Sequence, residues 1–453
     1  MVQASLQWKE TEAGTWTREF CPVERILHFF KHLDPTLTQW TVSSGVTLPE
    51  TSNYSIETIK AAWVLLRKKH PIIACTITSE NTGMQYHIPA EEGEIIKWIE
   101  ETVHVDVSGK TGKELAVSMT VPKSAELYFL PKTRELLVHI RHELTDGAGS
   151  MILVNNFLKI LRLMSTLGPV SPSTPSFGDE VDQLPPSLFH IVGENEPLSN
   201  ELRQQAQKIG IKYLTNPSVG LKTRSLEICG TVPIPITPSG RVEHEFSEAE
   251  TIAVISACRA KGITVTAAVM AAKARAILEQ AGESSGNLAT LVPINLRDQL
   301  PAPYNAHAGG NLFIAAFTVL PVCTDSDFVS WARDVKRELA TWRCNREYVA
   351  YTKFLMKLLE NGITTAMQKG VLLPSGLVLS SLGVVEKYVT EPVDDYWLNL
   401  VVSTHTANGF FVYTFKGRLR LVICYNGAYY DRDRIEDFVS MIVCHLKEGL
   451  EKY

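Results

Sequence analysis

Apolar and polar positions along this chain recur with two periods, and the changes from one to the other mark its elements. In "SIETIKAAWVLLRKKHPIIACTIT", Ile59, Ala62, Leu65 and Leu66 form a helical stripe, Ser55 stands where a cap belongs and Glu57 lies in the first turn. Pro71 ends that helix, and Ile72 to Thr78 reads as a strand. The runs "AELYFL" and "ELLVHIR", joined by "PKTR", predict a hairpin, and after Gly147 "SMILVNNFLKILRLM" returns to helical spacing.

The second half repeats the mixture. "RVEHEFS" reads as a strand, Ser247 and Glu250 as a capping box that opens a helix to about Ala260, and "GITVTAAVMAAKARAILEQAG" as an Ala-rich helix closed by Gly282. Strand-like "ATLVPINLR", "NLFIAAFTVL", "GLVLSSLGVV", "NLVVSTHT", "GFFVYTFKG" and "RLRLVICYNG" follow. Helical "DFVSWARDVKRELATW" lies among them and "DRIEDFVSMIVCHLKEGL" comes last. Between the halves, "GPVSPSTPSFGDEVDQLPP" is too rich in Pro, Ser, Gly and Asp to hold a helix or a central strand. The pattern predicts an α/β protein of two domains of similar plan, 1–180 and 181–453.

Composition narrows the function classes. Of 453 residues, 45% are hydrophobic and 21% charged, as in ordinary globular chains, and a formal net charge of -5 leaves no polycationic footprint for nucleic acid. The polar, acidic "MVQASLQWKETEAGTW" has neither the basic start nor the apolar run of a signal peptide, and no stretch nears ~20 uninterrupted apolar residues. A cytoplasmic protein without a membrane partner is the expectation. The eight cysteines are scattered and mostly flanked by apolar residues, as in "LVICYN" and "SMIVCHL", which reads as reduced core thiols rather than disulfides or metal ligands.

The candidate chemistry centres on "VHIRHELTDGAG". Alternation along a strand from Glu135 puts Leu136, Val138, Ile140 and His142 on one face, and His139 and Arg141 on the other, more polar one. His142 thus ends the apolar face, and odd spacing sends the two imidazoles apart, against a shared metal. Geometry alone leaves open whether His142 is a core residue or a catalyst. Asp146 can anchor the turn or orient an imidazole, and Gly147 allows a positive φ or close approach of a substrate. A neutral histidine can take a proton from a hydroxyl or amine near pH 7.

"RHELTDG" resembles the HxxxDG signature of the acyltransferase superfamily that holds chloramphenicol acetyltransferase, the plant BAHD and fungal trichothecene acyltransferases, and the condensation domains of nonribosomal peptide synthetases. Further segments are similar in the same order: the early helix into "RKKHPIIACTI", "VPINLRDQLPAPYNAHAGGNLF", "SSLG" at Ser380 to Gly383, and the closing "YNGAYYDRDRIEDFVSMI". The resemblance covers most of the chain. It implies two chloramphenicol-acetyltransferase-like domains in a pseudo-dimer with a tunnel between them. His142 would deprotonate a small-molecule acceptor, and an acyl thioester, acyl-CoA or a carrier-bound one, would enter as co-substrate with no resident cofactor. It also implies that Asp146 points away from substrate and pairs with Arg297 across the domains, a structural role shared with Gly147.

Two departures limit the match. Arg141 stands where condensation domains have a first histidine, and the BAHD DFGWG signature is missing. A stand-alone monomeric acyltransferase of fungal specialised metabolism is expected, with the same fold turned to cyclisation or condensation, or an inactive binding protein, as alternatives. For the oxyanion, Ser380, Ser381, Thr404, Thr406 and Asn311 offer donors, and Ser381 leads because it lies in the segment resembling the family's central strand. His405 is a further titrating group, His70 belongs to a packing turn, no metal-ligand spacing is seen, and no residues are assigned to the acyl donor.

Overall fold

Two segments from the C-terminal half of the chain fold into the N-terminal unit. The computed structural model describes residues 6–33, 40–167, 175–193, 198–216, 218–223, 239–369, 377–402, 406 and 408–451. Its contacts divide it into one unit of Met1–Glu196, Asn295–Phe313 and Val385–Val401, and a second of Pro197–Ile294, Ile314–Val384 and Val402–Tyr453. A single cut after residue 180 does not describe this division, because backbone pairing ignores distance along the chain.

The N-terminal segment supplies β1 (Lys9–Glu12), β2 (Thr15–Glu19), β3 (Thr41–Thr47), β4 (Thr76–Ile77), β5 (Gly83–His87), β6 (Val103–Val105), β7 (Glu126–Leu130) and β8 (Glu135–Arg141). The rest supplies β9 (Ser239–Glu245), β10 (Ser285–Asn295), β11 (Phe313–Cys323), β12 (Leu377–Val384), β13 (Asp395–Leu400), β14 (Asn408–Phe415) and β15 (Arg418–Asn426).

In the first unit the main sheet runs β13-β3-β8-β7-β6 and a smaller one β1-β2-β5-β4. β13 joins β3 antiparallel, with Trp397 opposite Gly45. The fit explains the glycine: a Cβ on Gly45 would lie 2.2 Å from the Trp397 indole, and one on Gly112 2.5 Å from it. Trp397 is fully buried, and its Nε1 donates to Glu135 Oε1 at 3.1 Å. β7 and β8 form the expected hairpin, turned at Arg134 with φ 56°. Helices Ile56–Lys69 and Gly147–Leu167 pack together, the latter also against β3, burying Met151, Leu153, Val154, Phe157, Leu158 and Leu161. Each such side chain contributes about 1.5–3 kcal/mol by leaving water.

Ser55 caps the first of these helices by accepting from Thr58 N. The run after Pro71 departs from expectation. Pro71–Ala74 is a 3-10 turn and only Thr76–Ile77 is strand, since proline suits the first turn of a helix and removes a donor that a strand would need.

In the second unit the sheet runs β12-β14-β15-β9, with β10 and β11 paired separately. Helix Glu248–Ala260 carries the Ser247/Glu250 capping box, and helix Val265–Ala281 ends on Gly282 at φ 72°. Helix Arg432–Glu451 packs on both, and Phe328–Cys344 on Val265–Ala281. A helix at Glu347–Gln368 packs on Asn200–Thr215, and periodicity had signalled neither. Cys21, Cys75, Cys258 and Cys424 are core residues as their apolar flanks suggest, whereas Cys344 and Cys444 are exposed, the latter on the outer face of the last helix.

Candidate active site

β8 stops at Arg141, one residue short of the expected face, and the chain turns through His142, Glu143 and Leu144 into the helix beginning at Gly147. His142 is half-buried. Its backbone N–H donates to Trp40 O at 3.1 Å, and its Nδ1 lies 3.0 Å from Thr145 O. A carbonyl oxygen only accepts, so Nδ1 carries the proton of the neutral ring and Nε2 becomes its basic atom. The ring stands 6.5 Å from that of Phe313, tilted by 52°. His139 is wholly buried instead, held between Ser43 Oγ at 2.8 Å and Thr120 O at 2.9 Å, so the face expected to be polar is closed as well.

The turn is fastened residue by residue to the inserted segment. Asn311 Nδ2 donates to His142 O at 2.9 Å and to Glu143 O at 3.0 Å, and Gly310 N to Leu144 O at 2.8 Å. Thr145 Oγ1 donates to Ala308 O at 2.7 Å, and Leu312 N to Asp146 Oδ2 at 2.8 Å. Gly310, at φ 79°, lets the segment follow the turn closely, and it forms an isolated parallel bridge with Thr145.

Asp146 joins the helix to the segment. Its Oδ1 accepts from Gly149 N at 2.8 Å, an N-cap that also places a negative charge at the positive end of the helix. Arg297 Nη1 contacts both Asp146 oxygens at 2.8 Å, and Arg297 Nε donates to His307 O at 2.9 Å. Both side chains are buried, at 4% and 2% exposure. The pair was expected across the domains. It lies inside the first unit, because Asn295–Phe313, which carries Arg297, belongs there. With its oxygens on Gly149, Leu312 and Arg297, Asp146 is not the orienter of the imidazole. The carbonyl of Thr145 has that part.

The other expected residues fall as follows. Gly147 opens the helix and is not a positive-φ glycine. The position that needs glycine is Gly149, where a Cβ would come within 2.2 Å of Ala308 O and 2.3 Å of Thr145 Oγ1. Ser381 belongs to the second unit, on β12 beside the irregularity before Gly383, with its Oγ 2.8 Å from Thr266 Oγ1. Asn311 is corrected from oxyanion donor to turn clamp, since both amide hydrogens point at backbone carbonyls. The Thr406 carbonyl accepts from Tyr430 Oη, and Thr404 and His405 lie outside the described residues. No cluster of three metal-ligating side chains occurs among the described residues.

Glu143 and His307 had no clear signal in the sequence, and His70 had been read only as part of a packing turn. Glu143 is completely buried beside His28 Nδ1 at 2.8 Å and Arg141 at 3.6 Å. His307 takes a bond from Gly309 N and donates to Gln183 O, and burial lowers its pKa. His70, whose ring centre is 6.0 Å from that of His307, is lowered by burial to about 3. Only the Gly-Gly-Asn string at 309–311 hinted at a tight backbone approach.

Comparison with known proteins follows the same lines. The family model for the C-terminus of phthiocerol/phthiodiolone dimycocerosyl transferase matches residues 237–423. O-acetyltransferase pigM of Monascus ruber is 24% identical over 462 residues, 99% of this chain and 87% of that protein. Azaphilone biosynthesis cluster protein M of Aspergillus terreus is 28% identical over 346 residues, 73% of this chain and 80% of that protein. Among solved structures, TRI3 trichothecene 15-O-acetyltransferase from Fusarium sporotrichioides matches with a TM-score of 0.81 at 17% identity, covering 99% of each chain.

Proposed function

We propose that the chain, which has the two-unit α/β fold of the trichothecene acetyltransferase it resembles, is an acyltransferase of the chloramphenicol-acetyltransferase-like superfamily that moves an acyl group from a thioester to a hydroxyl or amine of a small molecule, with His142 as general base. The observation that carries the reading is the Nδ1 contact of His142 with Thr145 O, which leaves basicity to Nε2. Nε2 takes the proton of the acceptor as its oxygen or nitrogen attacks the thioester carbonyl. The tetrahedral intermediate then collapses, the C–S bond breaks, and the imidazolium returns the proton to the departing thiolate.

Acyl-CoA is the simplest donor, and it is a co-substrate rather than a resident group. Fungal specialised metabolism is the setting, supported by the names that the fungal relatives carry.

The test is release of CoA from acetyl-CoA and longer acyl-CoAs in the presence of a panel of hydroxylated and amine acceptors. His142→Ala should cut the rate by about 10²–10⁴ with the melting temperature unchanged. Undiminished release by that variant would sink the assignment.

A further inference from the structure

Beyond the proton transfer itself, one side chain holds the turn from which the imidazole projects. Asn311 is buried at 3% exposure, and its Nδ2 bonds the carbonyls of two successive residues, His142 and Glu143. Carbonyls accept, so the amide can present only its NH2 there, and the reverse orientation would set three oxygens against one another. The cost of this arrangement is visible on the other side, where Asn311 Oδ1 is buried with no hydrogen-bond partner among the described residues. A buried orphan acceptor is unfavourable, and a residue retained only for packing would be better as an apolar isostere.

The two bonds fix the peptide planes on both sides of Glu143. The ring of His142 is tied at its other end to Thr145 O, three residues on, so the distance that this bond spans depends on those planes. Leu144, Thr145 and Asp146 are held by backbone or hydroxyl bonds to Gly310, Ala308 and Leu312. The carbonyls of His142 and Glu143 are held by a side chain, which makes the geometry at the histidine the part of the clamp that a single substitution can remove.

We propose that Asn311 is the positioning residue of His142, keeping the ring in the tautomer with the proton on Nδ1 and its Nε2 as base. This rests on the acyl-transfer reading for its kinetic consequences but not for the tautomer. Loosening of the turn lets the Nδ1 bond to Thr145 O break, and the ring then samples both tautomers and other rotamers. Few turnovers begin from the right one. The effect falls on kcat rather than KM, since Asn311 itself touches backbone and not substrate.

The experiment compares wild type with Asn311→Ala and Asn311→Leu, each also placed in a His142→Ala background. The readouts are acetyl-CoA turnover by CoA release and the ¹⁵N chemical shifts of the histidine rings in the protein alone. Both single variants should lose 10- to 100-fold in kcat at unchanged KM, and the His142 nitrogens should move from the Nδ1-protonated pattern toward an averaged one. In the His142→Ala background the same substitutions should cost less than twofold. Multiplicative losses there, or an unchanged His142 tautomer in both variants, would overturn the proposal. A fully active His142→Ala would instead end the general-base reading, and the ring shifts would still decide the role of Asn311. Asn311→Leu keeps the branched shape and removes the orphan oxygen, so its readouts decide the question even where Asn311→Ala folds poorly.

Discussion

Asp146→Asn is the most discriminating substitution, because it changes one oxygen to nitrogen in a site where every contact is known. Asparagine is as good an N-cap as aspartate, so the bond from Gly149 N survives if Oδ1 keeps its place. The new NH2 then stands where Oδ2 now accepts from Leu312 N and from Arg297, both donors. One backbone N–H is left without an acceptor, about 1–3 kcal/mol, and Arg297, 2% exposed, loses its counter-charge. Breaking a buried pair by removing one partner costs about 3–5 kcal/mol, which contains the first figure rather than adding to it.

For a unit of this size, 1 kcal/mol moves the melting temperature by roughly 2–4 °C, so the variant should melt on the order of 10 °C lower. Calorimetry of wild type, Asp146→Asn, Arg297→Met and the double variant measures it. The double variant should be more stable than the two single losses added together, because most of each single loss is a charge left alone. A melting point within a degree of wild type, or strict additivity, would refute the buried bridge. CoA release at 15 °C, where all four are folded, should fall much less for Asp146→Asn than for His142→Ala.

Three further outcomes are expected. His139→Ala should cost about 2–4 kcal/mol in denaturant unfolding, because it empties a buried site and orphans Ser43 Oγ and Thr120 O, yet turnover of the folded protein should stay near wild type. Loss of turnover matching that of His142→Ala would mean that the wrong histidine has been chosen. Gly149→Ala should destabilise by roughly 3 kcal/mol, as its Cβ meets a carbonyl and a hydroxyl at 2.2 and 2.3 Å; an unchanged melting temperature would contradict this. His70, lowered to about 3, stays neutral in the folded chain while the unfolded chain takes up a proton below about pH 6.5. Its contribution is therefore complete above pH 6.5 and is lost as pH falls toward 3, at up to about 1.4 kcal/mol per pH unit. Denaturation midpoints at pH 6.5, 5.5 and 4.5 should converge in His70→Gln relative to wild type, and parallel slopes would remove His70 from the account.

Much of the local structure was legible. The β7–β8 hairpin, the helix after Gly147, the capping box at Ser247 and the left-handed stop at Gly282 follow from side-chain spacing and caps that act within a few residues. The failures have both local and distant causes. Pro71 looked like a helix terminator before a strand, but it starts a 3-10 turn. His142 looked like the last inward residue of a strand, but the strand ends at Arg141 because Asn311, 169 positions away, takes its carbonyl. The long helix Glu347–Gln368 escaped notice because it buries its stripe against Asn200–Thr215, a helix equally unmarked.

What the sequence by itself determined was most of the capped helices and the hairpin strands and the chemical groups on the "RHELTDG" turn, since helix caps, strand alternation and the reactivity of an imidazole are properties of neighbours along the chain. Tertiary structure alone decided which elements share a sheet and which groups share a site. β13 completes the first sheet from the far half because Trp397 fits over Gly45 and Gly112, and Asn295–Phe313 crosses over with it to bring Arg297 to Asp146 and Asn311 to His142. Backbone hydrogen bonds are identical for every residue and carry no address, so the pairing is settled only when side chains find the space and the counter-charges that fit them.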